Sequence, residues 1–309
     1  MAGPDGPAFV GRVPAGPRRL SRREWLTVLK RSFKEFLADD CMGLAQQIAY
    51  SSLLAFFPAV VFLVGLLGLV DAYDALRDFL APIAPGAVLD TIDTLEQDNS
   101  PGTSVLAFLI GAAGATWAAS GAMGSVLKAV NRAYDRAETR PFWKTRLIAI
   151  LLVALTGLTT AGMLLLIVFG GPLGNAIATK AGLGGAFELV WAIARWPLAF
   201  VAVLLFFAIV YYLAPNLDVR DWRWISPGSL VGSVTWLALS GLFALYTSFS
   251  DSYSKTYGAL ASGIVLLLWL NYSAFALLFG AELNSELDRE AELHAAGGEN
   301  AGLVKPSRR

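Results

Sequence analysis

The stretch DDCMGLAQQIAYSSLLAFFP, residues 39–58, carries two signals at once. Its second half leads into VVFLVGLLGLV, residues 60–70, an apolar run of the kind that enters a lipid bilayer. Its first half sets Gln46, Gln47, Tyr50, Ser51 and Ser52 where that run begins. Hydrocarbon offers such groups no hydrogen-bonding partners, so they must meet protein or a wet surface. Gln46 and Tyr50 fall on one helical strip, and Gln47 and Ser51 on the next.

Working outward, five further segments have the roughly 20 mostly apolar residues that a spanning helix needs. The six expected spans are Gly43–Val70, Ser104–Val130, Leu147–Phe169, Trp191–Leu213, Ser226–Phe249 and Tyr257–Ala281. Lipid-exposed backbone must satisfy its own hydrogen bonds, which makes these helices rather than open strands. The fold class is therefore all-α, a polytopic membrane protein built as a bundle of six transmembrane helices. The composition agrees. Of 309 residues 56% are hydrophobic and 16% charged, with mean hydropathy +0.57, whereas a soluble domain carries about 25% charged residues.

The charge balance is zero overall but uneven along the chain. With the N-terminus inside, 20 of the 24 Lys and Arg fall on the inner side, leaving Arg77, Lys180, Arg195 and Lys255 outside. The positive-inside rule then places both termini in the cytoplasm. Residues 1–20 are rich in Gly and Pro and read as a disordered tail. Residues 21–40 read as a basic amphipathic helix. Ser21 and Glu24 fit a capping box, and Trp25, Val28, Leu29, Phe33, Phe36 and Leu37 recur at helical spacing among Arg22, Arg23, Lys30, Arg31 and Lys34. Such a helix suits an anionic leaflet, or packs on the inner end of its own bundle. The six-span domain is expected over 41–285, with a cytoplasmic tail at 286–309.

The loop after the first span is acidic, with Asp71, Asp74, Asp78, Asp90, Asp93, Glu96 and Asp98. Val88, Leu89, Ile92 and Leu95 form an apolar stripe within it, which predicts a short amphipathic helix over the outer mouth. In the second span Gly111, Ala115, Ala118, Ala122 and Ser125 follow at intervals of three or four, a pattern that lets a neighbouring backbone approach closely.

Lys128, Arg132, Arg136 and Arg140 recur every four residues and on a helix would form one basic stripe, a candidate cradle for lipid phosphate or another anion. Trp143 sits where interfacial aromatics belong. Asn271 falls near mid-membrane, and Glu282 and Asn284 at the inner end of the last span, the depth at which Gln46, Gln47 and Tyr50 are placed. A shared polar vestibule would satisfy all of them, and so would interhelical hydrogen bonds.

Absences narrow the function classes. The six span cores contain no ionisable residue apart from boundary positions such as Arg195 and Glu282, which disfavours a proton relay or a voltage sensor. There is no GxxxxGK[ST] phosphate loop and no HExxH. With one cysteine, Cys41, and one histidine, His294, no disulfide framework or Cys/His metal site is expected. No cofactor is expected, and no catalytic or metal-ligating residue is assigned.

Three stretches together resemble the YihY/BrkB family of bacterial inner-membrane proteins. They are AQQIAYSSLLAFFP (45–58), VNRAYDRAETRPFWKTRL (130–147) and TYGALASGIVLLLWLNYSAFALLFGAELNSEL (256–287). The resemblance implies a location in the bacterial inner membrane and transport of solutes or lipids. It adds Asn131, Tyr134 and Tyr257 to the candidate site residues. Some members carry a tRNA-processing ribonuclease label, but metal-dependent RNA hydrolysis needs clustered ligands facing the cytosol. Here the main carboxylate cluster lies outside, and Glu282, Glu286, Asp288, Glu290 and Glu292 have the spacing of a solvated helix. The expected function is non-enzymatic movement or positioning of an amphipathic or anionic substrate, with lipid the favoured class. The alternatives are a small-solute exporter with a wet cavity reaching Asn271, or an envelope scaffold. Expected partners are membrane lipids, and an envelope protein or a second copy of the chain, but not nucleic acid.

Overall fold

A computed structural model describes residues 22–80, 86–97, 100–167, 180, 184–217, 226–248 and 259–295. Among these the regular structure is helical throughout. The expected tail at 1–20 and Tyr257 lie outside the described residues.

Helix α1 spans Arg22–Ala38 and α2 spans Cys41–Leu69. Asp40, at φ 53°, turns the chain between them and caps α2 by accepting from Gly43 N at 3.3 Å. Aspartate tolerates this left-handed conformation better than most residues. Two amphipathic helices follow, α3 (Tyr73–Leu80) and α4 (Gly86–Gln97), and they pack on each other. Ile92 is buried, and Arg77 Nε donates to Asp93 at 2.5 Å. The expected outer helix is thus present, in a pair.

The remaining elements are α5 (Pro101–Ala133), α6 (Phe142–Ile167), α7 (Gly184–Leu213), α8 (Pro227–Ser248) and α9 (Ala259–Ala295). With α2 they make six helices long and apolar enough to cross a membrane. Each packs on the next in the order α2, α5, α6, α7, α8, α9, and α9 returns to α2, so the spans close into a ring. The spans among the described residues are six, an even number, so the two ends of the bundle lie on one side, called here the basic end.

Among the described residues the most extensive helix contact is that of α2 with α5. A methyl group on Gly65 would overlap the backbone of Phe108, and one on Gly111 would overlap the backbone of Phe62. Without a hydrophobic driving force between helices in lipid, such backbone contact supplies the dispersion energy that holds them. The small-residue face of α5 therefore serves packing here, with Ser51 and Ser125 hydroxyls meeting at 3.2 Å further along. Helices α8 and α9 are tied by reciprocal bonds. Trp236 Nε1 donates to Ser273 at 3.0 Å and Trp269 Nε1 to Ser240 at 3.3 Å, while the two indoles meet edge to face at 6.2 Å.

The buried core lies in the half of the bundle nearest the basic end, around Cys41 and Ile48, Leu127 and Val130, Leu152, Val210 and Leu278. Helix α1 completes it. Val28 and Ser32 are fully buried, with Val28 against Leu283 and Leu287. Phe36 wedges its ring 6.1 and 6.2 Å from Phe275 and Phe279, and Arg31 pairs with Glu290 at 2.9 Å. Of the two expected placements for α1, the structure gives packing on the bundle, yet Leu26, Phe33 and Leu37 stay exposed on its other face.

This packing corrects one expectation. Glu282 and Glu286 are 1% and 5% exposed, not solvated, because α9 continues as a helix past 285 and α1 covers that extension.

Candidate functional site

The basic run after α5 does not form one helical stripe. Helix α5 ends at Ala133, and Asp135 adopts φ 51°. Arg136 N bonds Asn131 O at 2.8 Å and Asp135 N bonds Arg132 O at 3.0 Å, the paired closing bonds of a Schellman motif. Lys128 and Arg132 therefore stand on α5, whereas Arg136 and Arg140 belong to the loop that leads to α6.

That loop is clasped to the end of α7. Asn131, 3% exposed, donates from Nδ2 to Glu138 Oε2 at 2.9 Å and accepts from Asn216 N at 2.7 Å. Asn216 donates in turn to Ala137 O at 2.9 Å and Thr139 Oγ1 at 2.8 Å. Arg140 has its side chain buried. It donates from Nε to Glu138 Oε1 at 2.7 Å and from a terminal nitrogen to Oε2 at 2.5 Å, and it also reaches the Leu213 and Ala214 carbonyls at 3.3 and 2.9 Å. The Arg140 hydrogen bonds hold the Glu138 carboxyl below the usual glutamate range. Arg140 thus caps the C-terminal carbonyls of α7 and has no fork left for an external anion.

The other three cations share a different surface. Helix α5 is flanked by α2 and α6, and a cavity of about 440 Å³ lies along it at the basic end. Leu44, Gly124 and Leu127 give it an apolar floor. Lys128, Arg132 and Arg136 stand around it with Asp39, Asp40 and Glu138, and Thr145 of α6 closes one wall. A methyl group on Gly124 would meet nothing within 4 Å, so the floor is open there. Arg132 is engaged with Asp39 at 3.1 Å, and Glu138 with Arg140. Lys128 and Arg136 are exposed and make no ion pair among the described residues. The result is a groove with two available cations above apolar side chains, suited to an anionic head carrying a hydrocarbon chain.

The other candidates are dispersed. Gln46, Gln47 and Tyr50 are exposed on α2, whereas Glu282 and Asn284 are buried, so these residues share a depth but not a surface. Glu282 Oε1 accepts from Cys41 Sγ at 3.3 Å. Asn284 caps α8, accepting from Gly228 N at 2.9 Å and donating to Ser226 Oγ at 3.0 Å. Tyr134 is the C-cap residue of α5 and packs against the core. Trp143, with Phe142, is exposed at the start of α6, near the groove's Thr145. Asn271 has a buried Oδ1 with no protein partner among the described residues. No group of three His, Cys, Asp or Glu able to hold a metal ion occurs among the described residues.

Asp39, Asp40, Glu138 and Asn216 were not legible as site residues. Only Glu138, an acid set inside a basic run, offers a local signal.

Six apolar spans closed into a ring, capped by an amphipathic helix, define a multi-pass helical membrane protein. More narrowly, the sequence profile of the family described as Virulence factor BrkB matches residues 32–302, and the chain belongs to that family. It is 29% identical over 271 residues to a protein of Bacillus subtilis (strain 168) named ribonuclease-like protein YfkH, a match covering 87% of this chain and 98% of that protein. A UPF0761 membrane protein of Xanthomonas oryzae pv. oryzae (strain PXO99A) is 24% identical over 82% of this chain and 59% of its own length. UPF0761 membrane protein AZOSEA40600 of Aromatoleum aromaticum is 25% identical over 86% of this chain and 66% of its own. The chain thus spans nearly all of the Bacillus protein but about three fifths of the Xanthomonas one. No solved structure matches it.

Proposed function

We propose that this membrane protein is a non-enzymatic transporter that binds and moves a lipid, with the basic end of its bundle in the cytoplasm of a bacterium. The observation that carries the reading is the groove on α5, where Lys128 and Arg136 stand exposed over Leu44, Gly124 and Leu127. A phosphate head can be held by the two cations while its chains stay in the surrounding hydrocarbon, so no buried ionisable residue is required along the way. The distribution of Lys and Arg supports the inward placement of this end and of both termini. A photoactivatable crosslinker placed at Thr145, which lines the groove, tests the reading. It captures phospholipid from the membrane, and capture falls when Lys128 and Arg136 are both changed to Gln. Unchanged capture in the folded double variant would refute it.

The RNA-hydrolysis reading raised by the Bacillus relative's name is the weaker one. Metal-dependent hydrolysis calls for grouped ligands, and no group of three His, Cys, Asp or Glu that could hold a metal ion occurs among the described residues, Asp39 pairing with Arg132 and Glu138 with Arg140.

A further inference from the structure

The charges around the groove are not of one sign, and their pairing leaves a specific remainder. Three cations and three carboxylates surround it. Arg132 with Asp39 and Glu138 with Arg140 form ion pairs. What is left is Lys128, Arg136 and the carboxylate of Asp40. The last uses one oxygen in a long, 3.3 Å bond to Gly43 N, so most of its acceptor capacity is unspent. Asp40 is held at this place by the backbone. Its φ of 53° makes the turn from α1, and its carboxylate sits at the first turn of α2, on the groove's edge.

A wholly anionic head would meet Asp40 with like charge. A head carrying a phosphodiester and an ammonium would satisfy all three groups, the phosphate on Lys128 and Arg136 and the ammonium on Asp40. A quaternary ammonium has no N–H to donate to the carboxylate, so a primary ammonium fits better. Resting on the lipid reading above, we infer that the groove selects a zwitterionic phospholipid with a primary ammonium head, the phosphoethanolamine class, through Lys128, Arg136 and Asp40.

The test offers the purified, full-length protein an equimolar mixture of phosphatidylethanolamine, phosphatidylglycerol and phosphatidylcholine, and counts bound lipid by native mass spectrometry. The wild type enriches phosphatidylethanolamine about fivefold over each competitor, the effect of one half-exposed charge-assisted hydrogen bond. Asp40→Asn keeps a residue that caps helices well, so it leaves the fold intact, as its unfolding profile checks, while phosphatidylethanolamine binding falls to the level of the competitors and the enrichment disappears. Glycerophosphoethanolamine, the same head without chains, competes weakly. Two results would overturn the headgroup assignment alone: no preference in the wild type, or an undiminished preference in Asp40→Asn. Full competition by the chainless head would instead count against the part of the hydrocarbon chains in the lipid reading beneath it. Total bound lipid that survives Lys128→Gln with Arg136→Gln would instead defeat the groove reading beneath it.

Discussion

Arg140 and Glu138, two residues apart, close three hydrogen bonds on each other. The Arg140 backbone N–H reaches Oε1 at 3.0 Å, Nε the same oxygen at 2.7 Å, and a terminal nitrogen Oε2 at 2.5 Å. The same guanidinium holds the carbonyls of Leu213 and Ala214. A single planar fork thus joins the loop after α5 to the last turn of α7, which fixes Arg136 at the rim of the groove.

Replacing Arg140 by Ala removes both guanidinium bonds to Glu138, which keeps Asn131 and the backbone N–H of residue 140, and takes the side-chain donor from the Leu213 and Ala214 carbonyls. A loss of about 2–4 kcal/mol in stability is expected, the cost of breaking a largely buried, multiply bonded charge. Arg140→Lys does not rescue it, since an ammonium cannot span the carboxylate and both carbonyls. Thermal unfolding in detergent measures both variants. Wild-type stability in Arg140→Lys would show that charge alone holds the loop.

The clasp also sets an acid limit. Glu138 has a carboxyl held below the ordinary 4.5, so its ionised form is favoured by folding. Its stabilising contribution is complete above that value and fades as pH falls through the lowered one. A third of the side chain is exposed, so solvent moderates the effect. Glu138→Gln lacks this part of the pH dependence, and its stability profile runs flatter than the wild type's on the acid side of pH 4.5. Parallel profiles would contradict the assignment.

Two glycines of α5 are expected to respond with opposite signs. Gly111→Ala drives a methyl into the Phe62 backbone and separates α2 from α5, at a cost of about 1–3 kcal/mol. Gly124→Ala enters open space and gains helix propensity, so stability stays level or rises by up to about 1 kcal/mol. Unfolding of the two variants side by side checks the helix-pair geometry.

The α8–α9 seam is tested by a double-mutant cycle on Trp236→Phe and Ser273→Ala. Interhelical bonds in membranes couple by about 0.6–1.7 kcal/mol, and a value in that range is expected here. Strict additivity would mean that the 3.0 Å bond contributes nothing.

Much of the fold was legible because a span announces itself locally. Each of the six apolar runs is long enough to cross hydrocarbon whatever its neighbours do, and the amphipathic stripes at Trp25–Leu37 and Val88–Leu95 likewise mark α1 and α4. The site was legible only in part. Spacing by fours made Lys128, Arg132, Arg136 and Arg140 look equivalent, but the αL residue at Asp135 ends their common helix, and Arg140 is committed to carbonyls some 73 positions away in the chain. Asp39 and Asp40 join the groove through a turn between helices, and Asn216 through the end of α7. Such partners are fixed by tertiary packing and leave no local pattern. The glutamines of the opening stretch were misleading for the same reason. They sit at the right depth, yet α2 presents them away from Glu282 and Asn284.

The central claim, that the α5 groove carries lipid, is tested most directly by transbilayer movement of a fluorescent phospholipid in proteoliposomes. Gly124→Trp fills the floor of the groove from a position with room for a side chain, and Lys128→Gln with Arg136→Gln removes its two available cations. Both variants, shown folded by their unfolding profiles, are expected to lose most of the wild-type movement. Movement at the wild-type rate in both would contradict the account.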